Sequence, residues 1–108
     1  MKLLIVIVQN KDANKLQNAF AKNNVHQTKL STTGGFLKSG NTTFMIGIED
    51  ERVNDVLDII KKVSSKREQY MTPPVNLDGG VSDSSYPVKI EVGGATVMEM
   101  PMDNFYRF

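Results

Sequence analysis

The sequence predicts an α+β domain of order βαββαβ, and three observations carry that reading. Two aliphatic runs, Lys2 to Gln9 and Asn41 to Glu49, are apolar on both faces, as strands in the middle of a covered sheet are. Two stretches, one from Asp12 to Asn23 and one following Asp50, repeat apolar residues at intervals of three and four, the stripe of an amphipathic helix. Two further runs, Val25 to Thr33 and Val88 to Met100, alternate apolar with polar residues, as half-covered edge strands do.

Each element has its own signal. Lys2 to Gln9 is rich in β-branched residues and suits a buried strand. In the first helix Ala13, Leu16, Ala19 and Phe20 form the stripe; Asn10 or Asp12 is the expected cap, and Asn23-Asn24 the stop. The second strand places Gln27 and Lys29 on one side, Thr28 and Leu30 on the other. A glycine-bounded loop, Gly34 to Gly40, then carries Phe36-Leu37 at its tip. Connecting segments normally lie in water and are built from polar and small residues, so an apolar tip is expected to be covered by something.

Asn41 to Glu49 returns through Phe44, Met45, Ile46 and Ile48, closing a long hairpin. Asp50 is the expected cap of a second helix in which Val53, Val56, Leu57, Ile60 and Val63 keep the helical interval cleanly. Ser64 to Tyr86 contains Pro73-Pro74 and Gly79-Gly80 and shows neither period, which predicts a long loop; in so small a domain such loops are usually functional. Val88, Ile90 and Val92 start the last strand, which Gly93-Gly94 is expected to bend before Thr96 to Met100 continue it.

This order is the ferredoxin-like plan, an antiparallel sheet with strands one and three central and both helices on one face. Central strands that are apolar on both faces then require cover for the second face. A second copy of the chain is the simplest cover, at about 25 cal/mol per Å² of apolar surface buried, so an oligomer is expected.

Composition excludes several classes of function. The 108 residues make one domain, spanning 1–108, with room for a single core. Thirteen Lys and Arg against twelve Asp and Glu leave a charge of +1, too little for a broad face that binds a nucleic acid polymer. No Cys and a single His exclude a disulfide framework, leave zinc poorly supplied, and predict neither a metal site nor a cofactor. No acid or nucleophile is spaced to work with His26, so no catalytic residue is assigned and no enzyme is expected. The apolar run Leu3 to Val8 is too short for membrane insertion, and a cytoplasmic protein is expected. Lys61-Lys62 with Lys66-Arg67 reads as the solvated end of the second helix and receives no site.

Three features together are specific: Thr-Thr-Gly-Gly-Phe-Leu (32–37) followed by Gly-Asn-Thr-Thr-Phe (40–44), the run Glu91-Val92-Gly93-Gly94-Ala95-Thr96-Val97, and the aromatic residues after Met102. Over essentially the whole chain the sequence resembles the PII-like cyclic di-AMP receptor family. The resemblance implies a homotrimer of ferredoxin-like subunits that holds cyclic di-AMP in clefts between subunits. It also implies a short loop at 34–40 and a long one at 64–86.

The ligand offers two adenines and a ring with two phosphates. On that basis Asn41 is the expected partner of an adenine edge, with Phe36 stacking on a base and Leu37 closing the pocket. Thr28 would donate its hydroxyl to a phosphate or ribose oxygen, and Gly35, Gly47, Gly93 and Gly94 would allow close approach of backbone. The family typically has an arginine where this chain has His26, whose imidazole lacks the guanidinium fork. Arg107, where the family usually has a glutamine, is expected to restore that cation.

The implied function is a signal-transduction receptor that changes loop conformation on binding and so regulates an unidentified protein partner. The alternative is a PII-like regulator answering to ATP, ADP or another small effector. An acylphosphatase-type hydrolase would need an arginine near the first strand, where Gln9-Asn10-Lys11 stands. An RNA-binding module would need aromatic side chains on the central strands, which offer only Phe44.

Overall fold

A computed structural model describes residues 1–30, 40–71 and 87–108. In chain order these form β1 (Lys2–Gln9), α1 (Asn10–Lys22), β2 (Thr28–Leu30), β3 (Asn41–Ile48), a 3-10 turn (Asp50–Arg52), α2 (Val53–Ser64), β4 (Arg67–Met71), β5 (Val88–Val92) and β6 (Ala95–Pro101). Four strands make one sheet in the order β2-β3-β1-β6, with every neighbouring pair antiparallel. That is the order the βαββαβ plan requires, with the first and third strands in the middle.

The sheet's core face follows the strand period of two. Leu4, Val6 and Val8 of β1 and Phe44, Ile46 and Ile48 of β3 are buried against Ala13, Leu16 and Phe20 of α1 and Val53, Val56 and Ile60 of α2. Phe20 meets Phe44 edge to face, centroids 5.9 Å apart and planes at 85°, the geometry aromatic quadrupoles favour. Fully burying each such side chain stabilises by roughly 1.5–3 kcal/mol.

The opposite face is only half-covered in the single chain. Leu3, Ile5 and Ile7 are half-buried there, and register sets Ile5 between Met45 and Met98 and Leu3 beside Met100. Met98 and Met100 remain 44% and 39% exposed. The apolar second face that the sequence predicts is therefore present.

Three local expectations are corrected. Helix α1 begins at Asn10, and neither Asn10 nor Asp12 caps it; its N-cap position is Gln9, with no side-chain hydrogen bond. Asn10 instead accepts a hydrogen bond from the Thr42 hydroxyl at 2.6 Å, which ties α1 to β3. Asp50 opens the 3-10 turn, and the N-cap of α2 is Arg52.

The larger correction concerns the second half of the chain. Val88–Val92 is not the near part of the sheet's last strand; β5 pairs with β4, Arg67 opposite Val92 and Met71 opposite Val88, in a separate two-stranded ribbon. The sheet's edge strand is β6 alone. Strand β4 lies inside the segment 64–86 that the sequence predicts to be a loop. Its residues, Arg-Glu-Gln-Tyr-Met, carry no alternation of polarity because a two-stranded ribbon has little to bury. It is held through its backbone and through charges, with Lys89 on Glu68 at 2.9 Å and Lys66 on Glu91 at 3.5 Å.

The ribbon joins the sheet at a polar knot. Arg67 donates to both carboxylate oxygens of Asp12, at 2.7 and 3.3 Å, and to the carbonyl of Ser65 at 3.2 Å. Asp12 is buried in the first turn of α1, and the hydrogen bond from Arg67 raises that guanidinium above its ordinary range. Gly93, with φ of +86°, donates its N–H to the Gln9 side chain at 2.8 Å; a Cβ there would lie 2.5 Å from Arg67 and 2.7 Å from the Ser65 carbonyl.

Removing Arg67 would strand the buried Asp12 carboxylate. Arg67→Ala is expected to lower stability by about 1–3 kcal/mol, below the figure for a fully buried pair because Arg67 is half-exposed. Urea unfolding of the two proteins measures it, and an unchanged midpoint would show that water replaces Arg67 at no cost.

Candidate functional site

Four of the residues nominated from sequence share one cavity. The turn Asn23–Gln27 leads from α1 into β2, and Asn24 takes the left-handed conformation, φ 55°, that an Asn tolerates better than most residues. Arg52 pins that turn, donating to the carbonyls of Asn23 at 2.7 Å and Asn24 at 3.1 Å. The chain then presents His26 and Thr28 toward Met45 and Gly47 of β3, Thr28 lying opposite Met45 in register. The segment Met102–Phe108, which follows β6, adds Phe105 and Arg107. His26, Thr28, Gly47, Phe105 and Arg107 thus line a cavity of about 480 Å³.

Its chemistry is that of an anion-tolerant, part-aromatic cleft. Among the described residues, no Asp or Glu lines it. The Arg107 guanidinium lies over the Phe105 ring, 5.8 Å from its centroid, within range of a cation–π attraction. A second cavity, about 460 Å³, shares Asn24, His26, Gly47, Phe105 and Arg107 with it and is also lined by Glu49 and Asp103.

The other nominated residues lie elsewhere. Asn41, Gly93 and Gly94 meet in a cavity of about 290 Å³, with Gln9, Lys66 and Thr96 as further walls. Asn41 is opposite Gln9 in register and Gly47 opposite Leu3, so the two cavities sit at the two ends of β3. Six residues at about 3.4 Å each put roughly 20 Å between them. Gly35, Phe36 and Leu37 lie outside the described residues.

The close-approach role assigned to glycines takes a different form at two positions. The space beside Gly47 holds the Phe105 ring, which a Cβ would meet at 3.1 Å. The space beside Gly93 holds Arg67 and backbone, and its N–H is already engaged by Gln9.

Lys66 and Gln9 are site residues that the sequence did not nominate. Lys66 reads as part of a solvated charge run, yet its stem crosses Gly94, with Cγ 3.3 Å from where a Cβ would stand. Gln9 ends a strand and carries no motif. Phe105 falls in the aromatic segment that the resemblance marks, but the sequence gives no sign that it seats on Gly47.

Two comparisons bear on this geometry. A family model described as cyclic-di-AMP receptor matches residues 1–108. Among solved structures, one from Pediococcus pentosaceus ATCC 25745, described as a functionally unknown protein, is 60% identical. It superposes with a TM-score of 0.81, the match covering 99% of this chain and 96% of that one.

Arg52 is the clamp on the wall that carries His26 and Thr28. Arg52→Ala removes two charge-assisted hydrogen bonds to carbonyls and is expected to cost roughly 1–2 kcal/mol. Amide exchange at residues 24–28 should quicken more than exchange in β1. Equal protection of that turn in both proteins would show that it is held by the backbone bonds of Asn23 and Val25 alone.

Proposed function

This chain belongs to the cyclic-di-AMP receptor family, and from that premise we propose that it binds cyclic di-AMP between adjoining copies of itself and passes the signal on through its loops. The single observation that carries the reading beyond family membership is the division of the nominated residues between two cavities at opposite ends of β3. A neighbouring copy, laid against the half-covered face of Ile5, Met45, Met98 and Met100, gives those separated walls a counterpart each. A PII-like homotrimer is the assembly we infer.

Within that cleft the residues take roles suited to the ligand. Asn41 offers an adenine edge one donor and one acceptor, and no described residue hydrogen-bonds its side chain. Thr28 offers a hydroxyl, while His26 lacks the fork of an arginine for phosphate. Phe36 and Leu37 are assigned the stacking and closing roles from sequence, with Gly35 beside them. Gly93 and Gly94 shape the wall next to Asn41. The protein is a receptor in this reading, with no catalytic step. Ordering of the 34–40 loop by ligand, with a change in the 64–86 segment, would alter the surface shown to a protein partner in the cytoplasm.

The test is a calorimetric titration of the whole chain with cyclic di-AMP and, separately, ATP. Saturable binding of the cyclic dinucleotide is expected, and Asn41→Ala should weaken it by about tenfold or more, the loss of a two-point contact worth roughly 1–3 kcal/mol. Binding of ATP alone would overturn the assignment. Sedimentation should give three times the mass of one 12.0 kDa chain, and a monomer at micromolar concentration would sink the shared cleft.

A further inference from the structure

We propose that Gln9 and Asn10, where β1 turns into α1, are positioning residues for cyclic di-AMP: Asn10 clasps the strand on both sides of Asn41, and Gln9 holds the facing Gly93-Gly94 wall. This rests on the cyclic di-AMP reading above and names residues that act on the ligand through the walls of the Asn41 cavity.

Asn10 grips both neighbours of Asn41. Its N–H, which as the first of α1 has no partner within the helix, donates to the Gly40 carbonyl at 2.9 Å. Its side-chain oxygen accepts the Thr42 hydroxyl at 2.6 Å. Successive strand residues point to opposite faces, so buried Thr42 faces the helices while Asn41 lines the cavity at the sheet's other face. The clasp therefore fixes Asn41 from behind and leaves its amide free of the clasp itself.

Gln9 does the same for the opposite wall. It stands beside Asn41 in register on β1, and its side-chain oxygen accepts the Gly93 N–H at 2.8 Å. Gly93 and Gly94 line the cavity together with Gln9, and the Gly94 N–H is held in turn by the Ser64 carbonyl at the end of α2. Both walls thus take their positions from two adjacent residues, so the gap between them is set at one point of the chain.

The use made of these side chains is informative. A polar side chain at a helix start ordinarily turns to the free N–H groups there. Helix α1 has no side-chain cap, because Gln9 at its N-cap position reaches Gly93 and Asn10 reaches Thr42. Two successive residues set aside the local preference and converge on one cavity, and such departures fall where function constrains the chain.

The experiment titrates the whole chain with cyclic di-AMP, at a temperature where circular dichroism shows each protein folded, for wild type, Thr42→Val, Thr42→Ser, Gln9→Met, Asn41→Ala and Asn41→Ala/Thr42→Val. Thr42→Val keeps the shape of the side chain and removes its hydroxyl. It is expected to bind about threefold to tenfold more weakly, with Thr42→Ser recovering most of that loss. Because the clasp acts through Asn41, Thr42→Val should weaken binding little further when Asn41 is already Ala. Gln9→Met should lose a similar factor and quicken amide exchange at Gly93 in the ligand-free protein; at a half-buried position, it decides the matter if Thr42→Val does not fold. Wild-type affinity in Thr42→Val or Gln9→Met, no recovery in Thr42→Ser, or full additivity with Asn41→Ala overturns the proposal. A wild-type protein that ignores cyclic di-AMP overturns the receptor reading itself, and that titration comes first.

Discussion

Strand β1 is the constraint on which the rest of the structure depends. It is paired along nearly its whole length on both sides, to β3 and to β6, and it is apolar on both faces. One face is closed by α1 and α2 in every position where β1 and β3 point toward them. The other has no element left in the described chain to close it, because both helices are already committed. A sheet of this order must either expose that face or find cover from outside, and its apolar composition selects cover. The proposed assembly would follow from how the helices are spent, and the cleft walls proposed at the two ends of β3 would take their meaning from it.

The same sheet end also connects the ribbon to the candidate site. Gln9 is the last residue of β1, and its side chain holds the Gly93 N–H; Asp12, one turn into α1, holds Arg67 at the start of β4. Asn41 stands opposite Gln9 in register. A ligand that presses on the Asn41 wall therefore touches residues that also set the base of β4 and β5. Movement of the ribbon away from the sheet would break the pair of half-exposed Arg67 with the buried Asp12 carboxylate.

Much of the architecture is legible in the sequence because burial writes a period into it. β1, β3 and α2 are read correctly, since each packs an apolar set at two- or three-and-four-residue spacing. The caps are misjudged at Asn10, Asp12 and Asp50, where polar side chains serve tertiary partners, the hydroxyl of Thr42, the guanidinium of Arg67 and the Met1 ammonium respectively, instead of the local backbone. β4 is illegible because its pairing is backbone and charge, with no face to bury. The final strand is mistaken for one bent element because Gly93-Gly94 marks equally well a bend within a strand and a crossing from ribbon to sheet. Of the candidate site, His26, Thr28, Gly47 and Arg107 are brought together although 81 residues separate the first from the last. Lys66 and Gln9 escape notice, one hidden in a charge run and the other in an ordinary strand end.

Charge explains why so nearly neutral a chain can still select an anion. A nucleic acid polymer presents a charge about every 1.7 Å and is held by summing many contacts, for which a net charge of +1 is a poor supply. A cyclic dinucleotide carries only two charges, fixed close together on a small ring. One or two cations placed where no carboxylate opposes them are then sufficient, provided that the cleft excludes water and lowers the local dielectric. The cavity of His26 and Thr28 has no acidic residue among its described lining, whereas the one that shares His26 and Arg107 with it has Glu49 and Asp103. Exclusion of water requires a neighbouring surface, and the half-covered face of the sheet is where one would lie. In the proposed receptor, affinity for a small dianion and assembly of the chain would be one problem, because a cleft left open to solvent on the single chain would screen the very cation that it offers.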